Sequence, residues 1–236
     1  MSKSSFTITK SHLDADNEAP LLYDEYRSTA RRAPRQPLIY MPHTLSERTG
    51  PVFGSMRVSE SDHDLTRQHE GEPIGQRMIV EGRVIDDEGQ PLPNTLVEIW
   101  QTNASGRYKH KLDDFNAPLD PNFSGFGRML TDKDGKYRFL TVKPGAYPWN
   151  NHRNAWRPAH IHFSLFGPSF VSRFVTQMYF AGDEMLEYDP IFQALPDKAK
   201  PRVLGGFDIN LTEEKWALGY RFDIILRGPD ATPEQD

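Results

Sequence analysis

Four side chains in this sequence carry donor atoms of the kind that hold a metal ion: His160 and His162, two residues apart, and Tyr108 and Tyr147 upstream of them. The histidines lie in Trp156-Arg157-Pro158-Ala159-His160-Ile161-His162-Phe163, which reads as a β-strand, and successive strand side chains point to opposite faces. Both imidazoles therefore face one way, while Ile161, Phe163 and Leu165 form an apolar stripe on the other face. Pro158 stands just ahead, where a missing N–H costs little, and it holds Arg157 extended. A cation is thus expected at the edge of the same pocket. An isolated His-x-His is more often a polar pair on a solvated face, so the remaining donors decide its meaning.

The tyrosines sit in Gly106-Arg107-Tyr108 and Lys143-Pro144-Gly145-Ala146-Tyr147-Pro148-Trp149. Taken singly, each reads as a lid over a core. Joined to the histidine pair they make a set of two nitrogens and two oxygens. The chain has no cysteine, so thiolate sites and disulfides are excluded, and any metal must be held by His, Tyr, Asp or Glu. Zinc bound by two phenolates would be unusual. Phenolate is a hard anionic donor suited to a hard trivalent cation, and ferric iron is the best candidate. Such a cation would have to displace protons from two phenols whose free pKa is about 10. Two phenolates and one hydroxide would cancel its charge and leave a centre fit for burial.

Several elements must position these groups. The patterning predicts an all-β fold, an antiparallel β-sandwich with long functional loops and an extended, partly helical N-terminal arm. Expected strands are Met78–Ile85, Thr95–Gln101, Lys136–Val142, His160–Phe166, Phe174–Phe180 and Tyr220–Leu226, with turns at Asp86–Gly89 and Thr131–Gly135. Two long connections, about Thr102–Arg128 and Lys143–Pro158, each contain one of the tyrosines, and long loops on a β scaffold usually carry function. Residues 1–75 read as an arm rich in proline, with short helices expected at Tyr23–Arg32 and Thr44–Arg48, packing on the core or on a partner chain. Residues 76–236 form the expected site-bearing domain.

The chain of 236 residues, with a formal net charge of −5, has no basic stripe for a nucleic-acid partner. It has no run long enough to span a bilayer and no signal-peptide pattern, so no membrane is expected and the expected location is cytoplasmic.

The motifs above, with Val97-Glu98-Ile99-Trp100-Gln101 and Asp120-Pro121-Asn122-Phe123, resemble those of the intradiol ring-cleaving dioxygenases, from about Tyr26 onward. The resemblance implies one non-haem Fe(III) per chain held by Tyr108, Tyr147, His160 and His162. It implies an O2-dependent cleavage of a catechol between its two hydroxylated carbons, with protocatechuate (3,4-dihydroxybenzoate) giving 3-carboxy-cis,cis-muconate in aromatic degradation by the β-ketoadipate pathway. Tyr147 would leave the metal and carry off a substrate proton, Arg157 would stabilise charge on the ring, and Gln177 would lie near the O2 site. Tyr26, Trp149 and Ile191 resemble residues lining the substrate pocket. The expected partner is a homologous α subunit sharing the active site in an αβ hetero-oligomer of higher order. Residues 196–219 match the family less clearly and receive no role.

Three other readings remain open at this level. A different 4-substituted catechol such as 4-sulfocatechol would suit the same metal site. A transthyretin-like binding sandwich would account for Gly82-Arg83-Val84-Ile85-Asp86 and the Thr131–Tyr137 turn, but it does not need the four donors together. An extradiol Fe(II) enzyme would need two histidines and a matched carboxylate, and the sequence offers no carboxylate matched to His160 and His162. His12, His43, His63, His69, His110 and His152 lack paired spacing and read as structural or surface residues.

Overall fold

The computed structural model describes residues 17–36, 58–167 and 173–235. The order is α1 (Thr29–Arg32), β1 (Arg77–Ile85), β2 (Leu96–Trp100), β3 (Phe126–Leu130), β4 (Lys136–Val142), β5 (Tyr147–Pro148), β6 (Trp156–Arg157), β7 (His160–Phe166), β8 (Phe174–Phe180), α2 (Pro190–Gln193), β9 (Leu204–Phe207), β10 (Leu218–Arg221) and β11 (Ile224–Ile225). Nine strands form one sheet in the order β11-β1-β10-β9-β8-β7-β2-β3, with β4 also on β1, and β5 and β6 make a separate ribbon. The β-dominated expectation agrees with this architecture. The antiparallel one does not, because β1 runs parallel to β10 and β11, and β8 runs parallel to β9. Parallel neighbours need a crossover of a dozen or more residues, and residues 181–203, which include α2, supply one.

The core follows from alternation. Val97 and Ile99 of β2, Ile161, Phe163 and Leu165 of β7, and Met178 and Phe180 of β8 pack with Val80 and Val84 of β1 and Phe139 of β4. Phe139 and Phe163 meet edge to face at 5.9 Å, an arrangement that favours aromatic pairs. With the odd-numbered side chains of β7 committed to this core, the even-numbered His160 and His162 must face the other way.

The expected strand Tyr220–Leu226 is broken into β10 and β11. Phe222 approaches Gly82 so closely that a Cβ there would lie 1.6 Å from the Phe222 carbonyl oxygen. Asp223 Oδ1 then accepts the Arg83 N–H at 2.8 Å in place of a ladder bond. Towards the N-terminus, α1 is one turn long instead of spanning Tyr23–Arg32. The Thr29 hydroxyl accepts the Tyr23 N–H at 3.0 Å and lies 2.8 Å and 2.7 Å from the Tyr23 and Tyr26 carbonyls, side-chain bonds that compete with helix. The helix expected at Thr44–Arg48 lies outside the described residues, as do His12 and His43.

Residues 17–36 pack on their own chain. Asn17 Nδ2 donates to the Pro229 carbonyl at 3.0 Å. Asn151 makes a double clamp, its Nδ2 donating to the Glu25 carbonyl at 2.7 Å and its Oδ1 accepting the Arg27 N–H at 2.9 Å.

Candidate metal centre

Two loops and one strand bring the four donors together. Gly106 has φ +81°, and a Cβ on it would lie 2.0 Å from the Ala146 carbonyl oxygen. Only glycine permits that backbone contact, which presses the Tyr108 loop against the Tyr147 loop. The Gly145 N–H donates to the Asn103 carbonyl at 2.9 Å, and the Thr102 hydroxyl donates to the Gly145 carbonyl at 2.9 Å. Asn103 Oδ1 accepts the N–H groups of Ser105 and Arg107, and Asp113 accepts that of Tyr108 at 2.7 Å. The two phenol rings then meet edge to face at 5.4 Å.

His160 Nε2 lies 3.2 Å from His162 Nε2, which lies 3.2 Å from the Tyr108 hydroxyl, while the Tyr147 hydroxyl lies 3.4 Å from His160 Nε2. His160 Nδ1 sits 2.7 Å from the Pro158 carbonyl, a contact that assigns its hydrogen to Nδ1 and leaves Nε2 a bare lone pair. His162 stacks on Trp100 with ring centroids 4.6 Å apart and an interplanar angle of 3°. Burial, then the Arg157 charge and then His162, hold His160 well below the usual imidazole range, and burial and Arg157 lower His162 to about 3. Burial, then Tyr147, raises the Tyr108 phenol well above its ordinary value. Without a cation the cluster is therefore two neutral imidazoles and protonated phenol. Four lone-pair donors separated by little more than exchangeable protons fit a strongly charged cation that displaces those protons. Among the described residues no three His, Cys, Asp or Glu side chains gather as a metal site, so the phenols are needed to complete a donor set.

Arg157 is placed differently from the sequence expectation. It does not stand at the pocket edge but is buried, at 4% exposure. It is drawn inward because Tyr147 and Arg157 pair directly across the β5/β6 ribbon and because Asp189, fully buried, accepts from its Nη2 at 2.9 Å. Burial alone would disfavour the guanidinium charge, but the hydrogen-bonding Tyr179 hydroxyl and the Asp189 carboxylate, the one opposite charge among its anchors, outweigh it and keep Arg157 protonated. Nη2 also contacts Gln177 Oε1 at 2.7 Å and the Tyr179 hydroxyl at 2.8 Å.

The other expected residues join the same neighbourhood. Gln177 pairs opposite His162 across β7 and β8. The Trp149 ring lies 5.5 Å from Tyr26 and 5.7 Å from the Arg157 guanidinium carbon. The Ile191 N–H donates to Asp189 Oδ1 at 3.2 Å. Three contributors escaped the sequence reading. Tyr179, on the same strand face as Gln177, was available from alternation. Asp189 ahead of Pro190 is a helix-start signal, and nothing local to it points to Arg157. Asn151 has no sequence signal, since its role depends on two distant backbone segments.

A family model described as "Dioxygenase" matches residues 48–228, and one described as "Protocatechuate 3,4-dioxygenase beta subunit N terminal" matches residues 19–44. The chain belongs to the intradiol ring-cleaving dioxygenase family. Within that family it is 57% identical over 214 residues, 90% of this chain and 91% of its relative, to the protocatechuate 3,4-dioxygenase beta chain of Burkholderia cepacia. It is 27% identical to the protocatechuate 3,4-dioxygenase alpha chain of Pseudomonas putida, covering 83% of this chain and 97% of that one. The fold resembles the crystal structure of 3-chlorocatechol 1,2-dioxygenase from Rhodococcus opacus 1CP, with a TM-score of 0.56, 23% identity, and coverage of 75% of this chain and 70% of that one.

Proposed function

We propose that this chain is the iron-bearing β subunit of an enzyme that uses O2 to cleave protocatechuate between its two hydroxylated carbons, giving 3-carboxy-cis,cis-muconate. The observation that carries the reading is the gathering of Tyr108, Tyr147, His160 and His162 beside a buried, charged Arg157, in a chain alike along nearly its whole length to a protocatechuate 3,4-dioxygenase beta chain. Residues 76–236 are the catalytic unit, and residues 1–75 are an arm.

These four residues would hold one non-haem Fe(III), which supplies the Lewis acidity that lets a catechol bind as a dianion and become reactive to O2. His160 and His162 offer neutral nitrogens that need no deprotonation. Tyr147, on a two-residue strand and only partly buried, is the mobile base that accepts a proton from a substrate hydroxyl. Arg157 holds negative charge developing on the ring, in a dry setting where such a donor is most effective. Gln177, fixed against Arg157, borders the space where O2 meets the ring. Trp149, Ile191 and Tyr26 form the pocket wall, and the Asn151 clamp keeps Tyr26 in place. A homologous α subunit would complete the pocket in an αβ hetero-oligomer of higher order. No described helix is long and apolar enough to cross a membrane, and we propose a cytoplasmic location.

The test is direct. Co-produced with its α partner, the protein is expected to be red-brown, to contain one iron per β chain, and to consume one O2 per protocatechuate. A colourless, iron-free, folded complex would refute the reading. Faster turnover of 4-sulfocatechol would keep the chemistry and change the substrate.

A further inference from the structure

The buried ion pair between Arg157 and Asp189 calls for an explanation beyond stability. Desolvating two charges offsets most of what their attraction returns, so such pairs are weak fold-holders. Nη2 of Arg157 is saturated: it has two hydrogens and three acceptors, on Gln177, Tyr179 and Asp189. The rest of the same planar group is not saturated. Nη1 has one contact among the described residues, 3.4 Å to His160 Nε2, and the buried Nε–H has no hydrogen-bond partner. A guanidinium is rigid and flat, so fixing Nη2 aims Nη1.

Of the three anchors, Gln177 and Tyr179 are neutral and belong to β8. Asp189 alone brings a charge, and it arrives from the crossover connection. Its second oxygen is also committed, because Oδ1 accepts the Ile191 N–H at the start of α2. One carboxylate thus fixes both the cation beside the donor cluster and the turn that carries Ile191.

We propose that Asp189 is a positioning residue for ring cleavage: it anchors Arg157 through Nη2 so that Nη1 faces the reacting catechol, and through Ile191 it sets the pocket wall relative to that cation. The inference rests on the role given to Arg157 above. Asp189 also balances the Arg157 charge 3.4 Å from a donor nitrogen, so its loss would both loosen the guanidinium and leave its charge uncompensated.

The test uses Asp189→Asn in the co-produced, iron-loaded complex. The amide retains the size of the side chain and an oxygen for the Ile191 N–H. Iron content is expected to stay at the wild-type level. Turnover per iron should fall roughly tenfold to a hundredfold while KM changes little. The visible band of the anaerobic substrate complex should shift, a readout that does not depend on turnover. In an Arg157→Gln background the same substitution should have no further effect. The inference is overturned if turnover per iron and the anaerobic band match wild type, even with a lower melting temperature. It is also overturned if the loss persists undiminished without Arg157. Should the amide variant not fold, Asp189→Glu, which keeps the charge but displaces the guanidinium, must lower turnover with iron retained, and equal turnover would sink the idea. A colourless wild-type complex would instead refute the iron reading, so the two failures are separable.

Discussion

Replacing Gly106 by alanine tests whether a backbone contact, and not the tyrosines alone, assembles the donor cluster. The added Cβ would lie 2.0 Å from the Ala146 carbonyl oxygen, against ordinary contact near 3.4 Å, so the two loops must part by roughly 1.4 Å at that point. The φ of +81° adds about 1 kcal/mol of strain for any residue with a Cβ. The opposing loop has little room to yield, because the Gly145 N–H and carbonyl are both bonded to the Thr102–Asn103 segment. The displacement therefore passes to Tyr108, two residues beyond Gly106, and to Tyr147, one residue beyond Ala146. Metal–donor distances tolerate only about 0.2 Å, so iron affinity should fall by about a hundredfold or more. The assay is iron retention in dialysis against a competing chelator, read with the visible band. Gly89→Ala is the control: its φ is +76° but nothing lies within 4 Å of the added Cβ, so it should cost similar strain and keep the iron. A Gly106→Ala protein that held iron as wild type does, with an unchanged band, would refute the reasoning.

Two further outcomes are expected. Because His160 and His162 titrate far lower in the folded iron-free chain than when unfolded, the unfolded state binds more protons below pH 6.5, and stability present above that pH is lost as pH falls toward about 3. At one pH unit below 6.5 each histidine should cost about 1.4 kcal/mol; urea unfolding of iron-free wild type against a His160→Asn/His162→Asn variant measures it, and equal pH slopes would contradict it. Asn151→Ala removes both bonds to the Glu25–Arg27 segment, so KM for protocatechuate should rise about tenfold at unchanged iron content, and an unaltered KM would show that Tyr26 needs no such clamp.

Much of this organisation could be read from local pattern. The alternation of Ile161, Phe163 and Leu165 against His160 and His162 defines β7, because a strand with one buried face has its register fixed by which residues are apolar. The ends of β4, β7 and β8 follow from equally plain runs. What escaped depends on partners far apart in sequence. No local feature announces that β10 and β11 run parallel to β1, since direction is set by the path between strands. The short ribbon of β5 and β6 was hidden because two-residue strands have no periodicity. Arg157 was misplaced for the same reason: its neighbours in sequence describe a pocket rim, whereas the carboxylate that draws it inward lies 32 positions away.

The position of β10 has a consequence for how the molecule comes into being. It is the strand that joins β1, β4 and β11 on one side to β9, β8, β7, β2 and β3 on the other. During synthesis, every residue of the donor cluster emerges while that seam is open, and β1 and β9 each present an unpaired edge of the kind that recruits stray strands. Closure waits for Leu218–Arg221, which reaches back across some 140 positions to pair with Met78–Glu81, a contact whose loop entropy makes it slow. The two halves of the sheet can therefore join only once a strand that holds none of the four donors has been made.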